Sequence, residues 1–323
     1  MPGGIFVSTV VSPSADRTLR QDADAPDWFH WANAQAGEHH FVDVDGCAVH
    51  YLLWRNPGRP GLLLVHGNSG SAYWWSFLAP FLARDYQVAA ICLSGMGDSG
   101  WRRQYSLETY ADEFLAVTED AELGARPVIV GHSFGALLTL YAAHLHAEKL
   151  GGIVLIDFAV RPVEKFAAWI NARVEPHPSK IYPDRETALA RFRLEPPQPC
   201  ANRFLFDHIA HHSLTRADGG WRWKFDPFLF RDFDRVRDYA AIYPEITCPV
   251  GVIRGMLSER FSDEELEFMR ALTDDRVPIV EIPEAHHHIM LDQPIALVAA
   301  IRAICRAGKR FDVKGDQFYV IVP

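Results

Sequence analysis

The chain has 323 residues, of which 49% are hydrophobic and 23% are charged, as is ordinary for a globular protein with its own core. Its net charge of −9 argues against a nucleic-acid-binding protein, and the lack of any run of about 18 apolar residues excludes a transmembrane helix. The five cysteines are widely spaced without a CxxC pair, so we expect no disulfide framework and predict a cytoplasmic protein.

The first segment, residues 1–37, is rich in Ser, Asp, Pro and Ala and has little periodicity. We interpret it as an irregular N-terminal arm that includes a short helix around residues 28–34. Two alternating runs follow at 40–44 and 48–54, joined by Asp45-Gly46. This turn pair between two alternating runs predicts a β-hairpin.

Short, wholly apolar runs then alternate with helical patterns. The apolar runs cover residues 61–65, 88–93, 128–130, 153–156, 250–253 and 277–282, and the helical patterns cover 72–83, 107–121 and 136–146. Apolar runs of this kind are typical of strands buried on both faces of a sheet. The alternation therefore predicts an α/β fold with a mostly parallel central sheet covered by helices.

The alternation stops between residues 161 and 249, where prolines and aromatic residues are frequent. We interpret this segment as a mainly helical lid, or cap, inserted between two core strands. An ordinary helical extension of the core is the alternative. The core then comprises residues 38–160 and 250–308, and residues 309–323 form a C-terminal tail without an assigned function.

The pattern Gly131-His132-Ser133-Phe134-Gly135 lies between an apolar strand and a helical pattern. A serine in such a tight strand-to-helix turn is presented clear of the sheet, and the flanking glycines give the turn room. We predict that Ser133 is a nucleophile. The backbone N–H of Phe134, at the start of the helix, is placed to stabilise an oxyanion.

A second turn, His66-Gly67-Asn68, follows the apolar strand at 61–65. Its position upstream of Ser133 predicts that the backbone N–H of Asn68 is the second oxyanion donor. His66 is expected to form structural hydrogen bonds rather than to act as a base.

Three adjacent histidines, His286, His287 and His288, lie in a loop after the last apolar run. A loop histidine at the carboxyl edge of a sheet can reach a serine presented at the same edge. A metal site is the alternative, with His208, His211 and His212 as a second cluster. Neighbouring side chains point in different directions and the chain lacks HExxH, so we predict no functional metal.

These motifs, in this order, resemble the α/β-hydrolase superfamily in its capped esterase and C–C hydrolase branch, over roughly residues 40–308. The segment 94–100 resembles the family's Pro-Gly-x-Gly-x-Ser loop, with Ser94 in place of the proline. In the family's histidine loop the catalytic residue lies three positions before a methionine. The resemblance therefore implies that His287 is the general base, because Met290 follows it at that spacing.

The resemblance leaves two candidates for the triad acid. Some relatives place a catalytic Asp in Arg-Gly-x-x-Ser-Asp after the seventh core strand, and this chain has Glu259 at that position. Other relatives carry the acid after the sixth strand, where Asp157 lies. We predict Glu259, with a carboxylate oxygen at His287 Nδ1, and keep Asp157 as the rival.

The activity that follows is hydrolysis of a carboxylic ester or lactone, without a cofactor, by a nucleophilic serine. Cleavage of a C–C bond in a diketone, and a slow ligand-binding or signalling protein, are the alternatives. Dehalogenases and epoxide hydrolases place Asp where this chain has Ser133. We expect an apolar small-molecule substrate, no nucleic-acid partner and a possible homodimer. The predicted pocket residues are Trp74, Trp75, Trp221, Trp223 and Phe228.

Overall fold

The computed structural model describes residues 25–171 and 178–307. Its strands are β1 (Glu38–Val44), β2 (Cys47–Trp54), β3 (Gly61–Val65), β4 (Gln87–Ile91), β5 (Val128–His132), β6 (Gly152–Ile156), β7 (Leu214–Ala217), β8 (Gly220–Trp223), β9 (Val250–Gly255) and β10 (Ile279–Ile282). Eight of them form the central sheet in the order β1-β2-β4-β3-β5-β6-β9-β10. The β1–β2 and β2–β4 pairs are antiparallel and the others are parallel, which confirms the predicted mostly parallel sheet.

The predicted hairpin is present at the edge of this sheet, where β1 and β2 flank Asp45 and Gly46. Both turn residues have positive φ, 50° and 74°, as a two-residue turn of this kind requires. The inner strands behave differently from this edge, because every residue of β3, β4 and β6 is buried.

Helices cover both faces of the sheet. They are α1 (Asp27–Asn33), α2 (Ala79–Leu82), α3 (Leu107–Asp120), α4 (Phe134–His146), α5 (Val163–Asn171), α6 (Arg185–Leu189), α7 (Arg203–His212), α8 (Tyr239–Ile242), α9 (Asp263–Leu272), α10 (Ile289–Asp292) and α11 (Pro294–Ala307). Alternate residues of β3 enter different cores: Leu63 packs with α3 and α4, and Leu64 packs with α2 and α11. This two-sided burial explains why the strand is apolar throughout.

One predicted helix is wrong in its extent. The pattern at 72–83 gives a 3₁₀ turn at Ala72–Trp74 and then only the short helix α2. Pro80 lies in the first turn of α2, where a proline is tolerated because no intrahelical N–H donor is needed there. In the middle of a continuous helix, Pro80 could not donate the usual backbone hydrogen bond because proline has no N–H. The chain therefore forms a 3₁₀ turn and a separate short helix.

The segment between β6 and β9 contains α5 to α8 and a separate antiparallel hairpin, β7–β8. The sequence did not predict this hairpin, although Asp218-Gly219 lies at its turn. The segment is joined to the loop after β4 by backbone hydrogen bonds, from Gly97 N to Lys224 O (2.8 Å) and from Asp226 N to Gly95 O (2.7 Å). It therefore covers the carboxyl edge of the sheet beside that loop.

The helix predicted around residues 28–34 is α1. Residues 1–24 of the arm, residue 308 of the core and the tail at 309–323 lie outside the described residues. Among the residues that are described, no helix is both long and apolar enough to cross a membrane. The eight-stranded, mostly parallel sheet with helices on both faces and Ser133 between β5 and α4 is the α/β-hydrolase fold that the sequence predicted.

Candidate functional site

Ser133 lies in the turn between β5 and α4 with φ 54° and ψ −115°, a backbone conformation that residues other than glycine rarely adopt. Close packing on both sides holds it there. A Cβ on Gly131 would lie 2.4 Å from the carbonyl oxygen of Gly135, and one on Gly135 would lie 2.4 Å from that of His66. The two glycines thus allow the strand and helix to approach closely enough to present the serine hydroxyl at the sheet edge.

His287, in the loop between β10 and α10, connects Ser133 to an acidic side chain. Its Nε2 lies 2.9 Å from Ser133 Oγ, and its Nδ1 lies 2.7 Å from Asp157 Oδ2. The ring is buried, with 6% exposure. With the proton on Nδ1 donated to the carboxylate, Nε2 is free to accept the serine proton, which is the arrangement of a general base.

Asp157 follows β6 directly and also has a positive φ, 47°. Its carboxylate is buried and accepts hydrogen bonds from Gly255 N to Oδ1 (3.0 Å) and from Ser258 Oγ to Oδ2 (2.5 Å), besides His287. Charge-assisted hydrogen bonds of this kind are stronger than those between neutral groups. The strand end, the backbone and Ser258 together fix the oxygen that faces His287.

The predicted contact between Glu259 and His287 is wrong. Glu259 is exposed to solvent, and Asp157 occupies the position at His287 Nδ1. The reason lies in the loop after β9, where Ser258 turns its hydroxyl inward to Asp157 and its neighbour Glu259 points outward. The serine of the Arg-Gly-x-x-Ser pattern therefore contacts the acid rather than preceding it.

The two predicted oxyanion donors line the same cavity as Ser133. Phe134 is the first residue of α4, so its N–H belongs to the first turn, where no intrahelical acceptor is available. Asn68 follows the turn that His66 supports: His66 Nδ1 lies 2.7 Å from Gly67 O, and Leu93 N donates to His66 Nε2 (3.1 Å). Burial lowers the pKa of His66 to about 4, so it stays neutral and structural.

The histidines around the site divide into two groups. His286 turns away to Asp292, with its Nδ1 3.0 Å from Oδ2. His287 and His288 instead cluster with His132, and one nitrogen of each lies within 4.8 Å of the others. These three could offer ligands to a metal ion, but both His287 nitrogens already face Ser133 and Asp157, so an ion there would compete with that hydrogen-bonded chain.

The second predicted histidine cluster serves contacts between the inserted segment and the core. His208 Nε2 lies 2.8 Å from Ser76 Oγ, and the ring of His212 stacks on Tyr73 with centroids 4.0 Å apart. Burial lowers the pKa of both histidines, to about 4 for His208, so they are neutral packing groups near pH 7.

Two adjoining cavities meet at this site. The first, of about 320 Å³, is lined by Asn68, Ser133, Phe134, Leu137, Asp157, Phe158, Ala159, Arg161, Glu195, Pro196, Arg235, Arg260 and His287. The second, of about 340 Å³, is lined by Asn68, Ser69, Gly70, Ser71, Trp74, Arg191, Phe192, Arg193, Leu194, Glu195, Ser213, Trp223, Lys224 and Phe225. Because Asn68 and Glu195 line both, a ligand at Ser133 has room on two sides.

The five predicted pocket aromatics separate in the structure. Trp74 and Trp223 line the second cavity. Trp75 is fully buried in the core, and Trp221 lies on β8 under the guanidinium groups of two arginines, so neither lines these cavities. Phe228 lines a different cavity beside Trp101. Two of the five predicted rings therefore line the cavities at this site.

Three arginines in the first cavity were missed from the sequence: Arg161, Arg235 and Arg260. Arg161 follows the end of β6 and Arg260 follows the end of β9, where parallel strands bring side chains to one sheet edge. That placement could have identified these two. Arg235 lies in an irregular stretch of the inserted segment, where no pattern indicates which side chains face inward.

Comparison with known proteins agrees with the fold. The model of the family described as "Alpha/beta hydrolase family" matches residues 62–301. A haloalkane dehalogenase from Sphingobium indicum is 32% identical over 133 residues, which cover 40% of this chain and 44% of that protein. A pimeloyl-[acyl-carrier protein] methyl ester esterase from Aromatoleum aromaticum is 34% identical over 115 residues, 34% of this chain and 44% of the esterase. The matched region thus spans less than half of each relative.

Among solved structures, E-2-(acetamidomethylene)succinate hydrolase superposes with a TM-score of 0.69 at 23% identity, covering 84% of this chain and 99% of that one. A likeness at this level of identity concerns the fold. It extends the agreement beyond the sequence matches to most of the chain.

Proposed function

Because the chain belongs to the alpha/beta hydrolase family, we propose that it is a serine hydrolase that cleaves a carboxylic ester or lactone. The hydrogen-bonded chain from Ser133 through His287 to Asp157 carries this proposal. It supplies a nucleophile, a base and an orienting carboxylate in sequence, which are the parts that acyl transfer requires.

The proposed reaction begins when His287 Nε2 accepts the Ser133 proton and Oγ attacks the carbonyl carbon of the substrate. The N–H groups of Asn68 and Phe134 hold the resulting oxyanion. His287 then donates the proton to the departing alkoxide, which leaves an acyl-enzyme. A water deprotonated by His287 attacks the acyl carbon, and collapse releases the acid and restores Ser133 Oγ–H.

Asp157 serves this cycle without exchanging a proton itself. It holds the His287 tautomer that leaves Nε2 unprotonated and stabilises the imidazolium that forms after proton transfer. The bonds from Gly255 and Ser258 keep the carboxylate in place during both steps. No cofactor is needed for the proposed reaction.

The matches to named enzymes fit this proposal unequally. The esterase from Aromatoleum aromaticum acts, by its name, on a methyl ester, which favours ester hydrolysis. The match to a haloalkane dehalogenase does not favour dehalogenase activity for this chain, because that enzyme class resembles this fold but places Asp where this chain has Ser133. The predicted cytoplasmic location and homodimer stay predictions.

A covalent serine probe tests the proposal directly. We expect a fluorophosphonate probe to label the wild-type chain at Ser133, and the wild type to hydrolyse 4-nitrophenyl acetate. Ser133→Ala should lose both signals, whereas Ser76→Ala, which lines neither cavity, should retain the label. Persistent labelling of Ser133→Ala would refute the assignment. Labelling without turnover of any ester would favour C–C cleavage or the ligand-binding alternative.

A further inference from the structure

The cavity that contains Ser133 is more cationic than an apolar substrate would require. Three arginines line it, against the carboxylates of Glu195 and Asp157. Asp157 is already committed to His287, Gly255 and Ser258. An arginine keeps its charge at any ordinary pH, so this charge cannot be removed by proton loss.

Two of these arginines have evident structural roles. Arg161 binds the Glu265 carboxylate and the carbonyl oxygen of Arg260, and thereby ties the start of the inserted segment to the loop after β9. Arg260 lies at the rim, where its Nη2 is 3.5 Å from Oε1 of the exposed Glu195. Because solvent reaches both side chains, this ion pair between Arg260 and Glu195 contributes little to stability.

Arg235 is placed differently, because it is 5% exposed and lines the same cavity as Ser133 and Phe134. Its guanidinium carbon lies 4.2 Å from the centroid of the Phe230 ring, and Phe230 packs edge-on against Phe134 with centroids 5.3 Å apart. The Tyr239 hydroxyl donates to the Arg235 carbonyl oxygen (2.9 Å) and fixes the backbone behind it. The contacts of Arg235 with Phe230 and of Phe230 with Phe134 thus hold the charged side chain of Arg235 in the cavity that contains Ser133.

We propose that the substrate carries a carboxylate group that Arg235 binds in the first cavity, while the rest of the molecule extends past Asn68 into the second cavity. This inference rests on the proposed serine-hydrolase function and replaces the expected wholly apolar substrate. A guanidinium fork matches a carboxylate with two hydrogen bonds, and partial exclusion of water strengthens that interaction. The second cavity has Trp74, Phe192 and Trp223 in its lining, which suit an apolar portion.

A matched pair of esters tests the proposal. The 4-nitrophenyl ester of adipic acid presents a free carboxylate, and its methyl ester is neutral and otherwise alike; background hydrolysis is subtracted. We expect the wild type to prefer the anionic ester in kcat/KM by roughly ten- to hundredfold, as charged hydrogen bonds typically allow. Arg235→Met should bring this ratio close to one, and Arg235→Lys should give an intermediate ratio, because lysine keeps the charge but not the fork.

Arg203→Met is the matched control, since Arg203 also lies over a phenylalanine ring, Phe206 at 4.1 Å, in the inserted segment but lines neither cavity. It should keep the wild-type ratio. If Arg235→Met does not fold, the salt dependence of the wild-type ratio decides: the preference should shrink between 20 and 500 mM NaCl. A wild-type ratio of one or below, or an unchanged ratio in folded Arg235→Met, overturns the proposal.

Binding measured without turnover separates the two proposals. Calorimetry with adipate should show binding to the wild type and to Arg203→Met, and a loss of at least tenfold in affinity for Arg235→Met. Ester turnover without any anionic preference would leave the serine hydrolase standing and remove the carboxylate site. Adipate binding without turnover or fluorophosphonate labelling would do the reverse.

Discussion

The two sides of the cavity at Ser133 are built by different means. On the core side, the polar groups come from the turns and loops that follow the strands, and two of them, Ser133 and Asp157, have positive φ. Close packing at Gly131 and Gly135 holds the turn at Ser133. On the side of the inserted segment, long side chains such as Arg235 and Trp223 reach the cavities from irregular stretches and from the β7–β8 hairpin. Backbone geometry fixes the first set of groups, and side-chain packing fixes the second.

This difference indicates a division of tasks. In the proposed reaction, the groups that must meet within hydrogen-bond distance for proton transfer lie in the turns and loops at the carboxyl edge of the sheet, whose strands cannot shift independently. The groups that we propose recognise the substrate lie on the inserted segment, where a changed side chain would alter contacts without moving Ser133. Substitutions on the core side should therefore affect the rate for every substrate, and those on the other side should affect the choice among substrates.

The largest expected effect is at Asp157. An Asn at this position presents an amide that donates a hydrogen bond toward His287 Nδ1, which favours the tautomer with the proton on Nε2 and removes the base. We expect Asp157→Asn to lower kcat by up to about 10⁴, because the corresponding change in serine proteases has this size. Steady-state kinetics with 4-nitrophenyl acetate measure it.

Glu259→Gln is the matched control, since it makes the same chemical change at the exposed residue that the sequence favoured. Its kcat should stay within about twofold of the wild type. Thermal unfolding of both variants shows whether the fold is kept. The opposite ranking, with Glu259→Gln as the inactive variant, would place the acid after β9.

These contrasts also show what the sequence could and could not predict. The strands and the turn that presents Ser133 were predictable because buried parallel strands are continuous apolar runs and the serine lies in a local pattern at one of them. The carboxylate that contacts His287 was not, because Asp157 and Glu259 both follow core strands. Only the packed loop shows that Ser258 turns inward and Glu259 outward.

The inserted segment limited prediction for a different reason. Its β7–β8 hairpin has a recognisable turn, Asp218-Gly219, but its irregular stretches have no period that assigns side chains to a face. Trp221 and Trp223 illustrate this. They lie two residues apart on one strand, yet only Trp223 lines the cavity, because Trp221 lies under the guanidinium groups of two arginines.

A smaller effect on activity is expected when Trp223 is replaced, and it tests whether the inserted segment determines the choice among substrates. Trp223→Ala should lower kcat/KM for esters with a bulky apolar portion by roughly tenfold while changing that for 4-nitrophenyl acetate little, since aromatic burial accounts for contacts that the acetate cannot make. Trp221→Ala is the matched control and should keep the wild-type ranking of substrates. A panel of 4-nitrophenyl esters of increasing size provides the measurement. Equal rankings in all three proteins would mean that Trp223 only packs.

The smallest expected effect concerns stability in mild acid, and it compares His66 in the core with His208 in the inserted segment. Burial lowers the pKa of each from 6.5 to about 4. The unfolded chain therefore binds a proton at each histidine near pH 6.5, whereas the folded chain does so only near pH 4. Their contribution to stability is complete above about pH 6.5 and is lost as the pH falls toward 4.

Urea unfolding at pH 7.5 and pH 5 measures this loss. Each histidine should contribute on the order of 1–2 kcal/mol to the difference, with the smaller share from the partly accessible His208. His208→Gln keeps a side chain that can hydrogen-bond Ser76 but cannot take up a proton, so it should narrow the difference between the two pH values. His144→Gln, at an exposed site, should leave the difference as it is in the wild type. If His208→Gln loses as much stability as the wild type between pH 7.5 and pH 5, His208 does not contribute to the acid sensitivity, and its contact with Ser76 is insensitive to protonation.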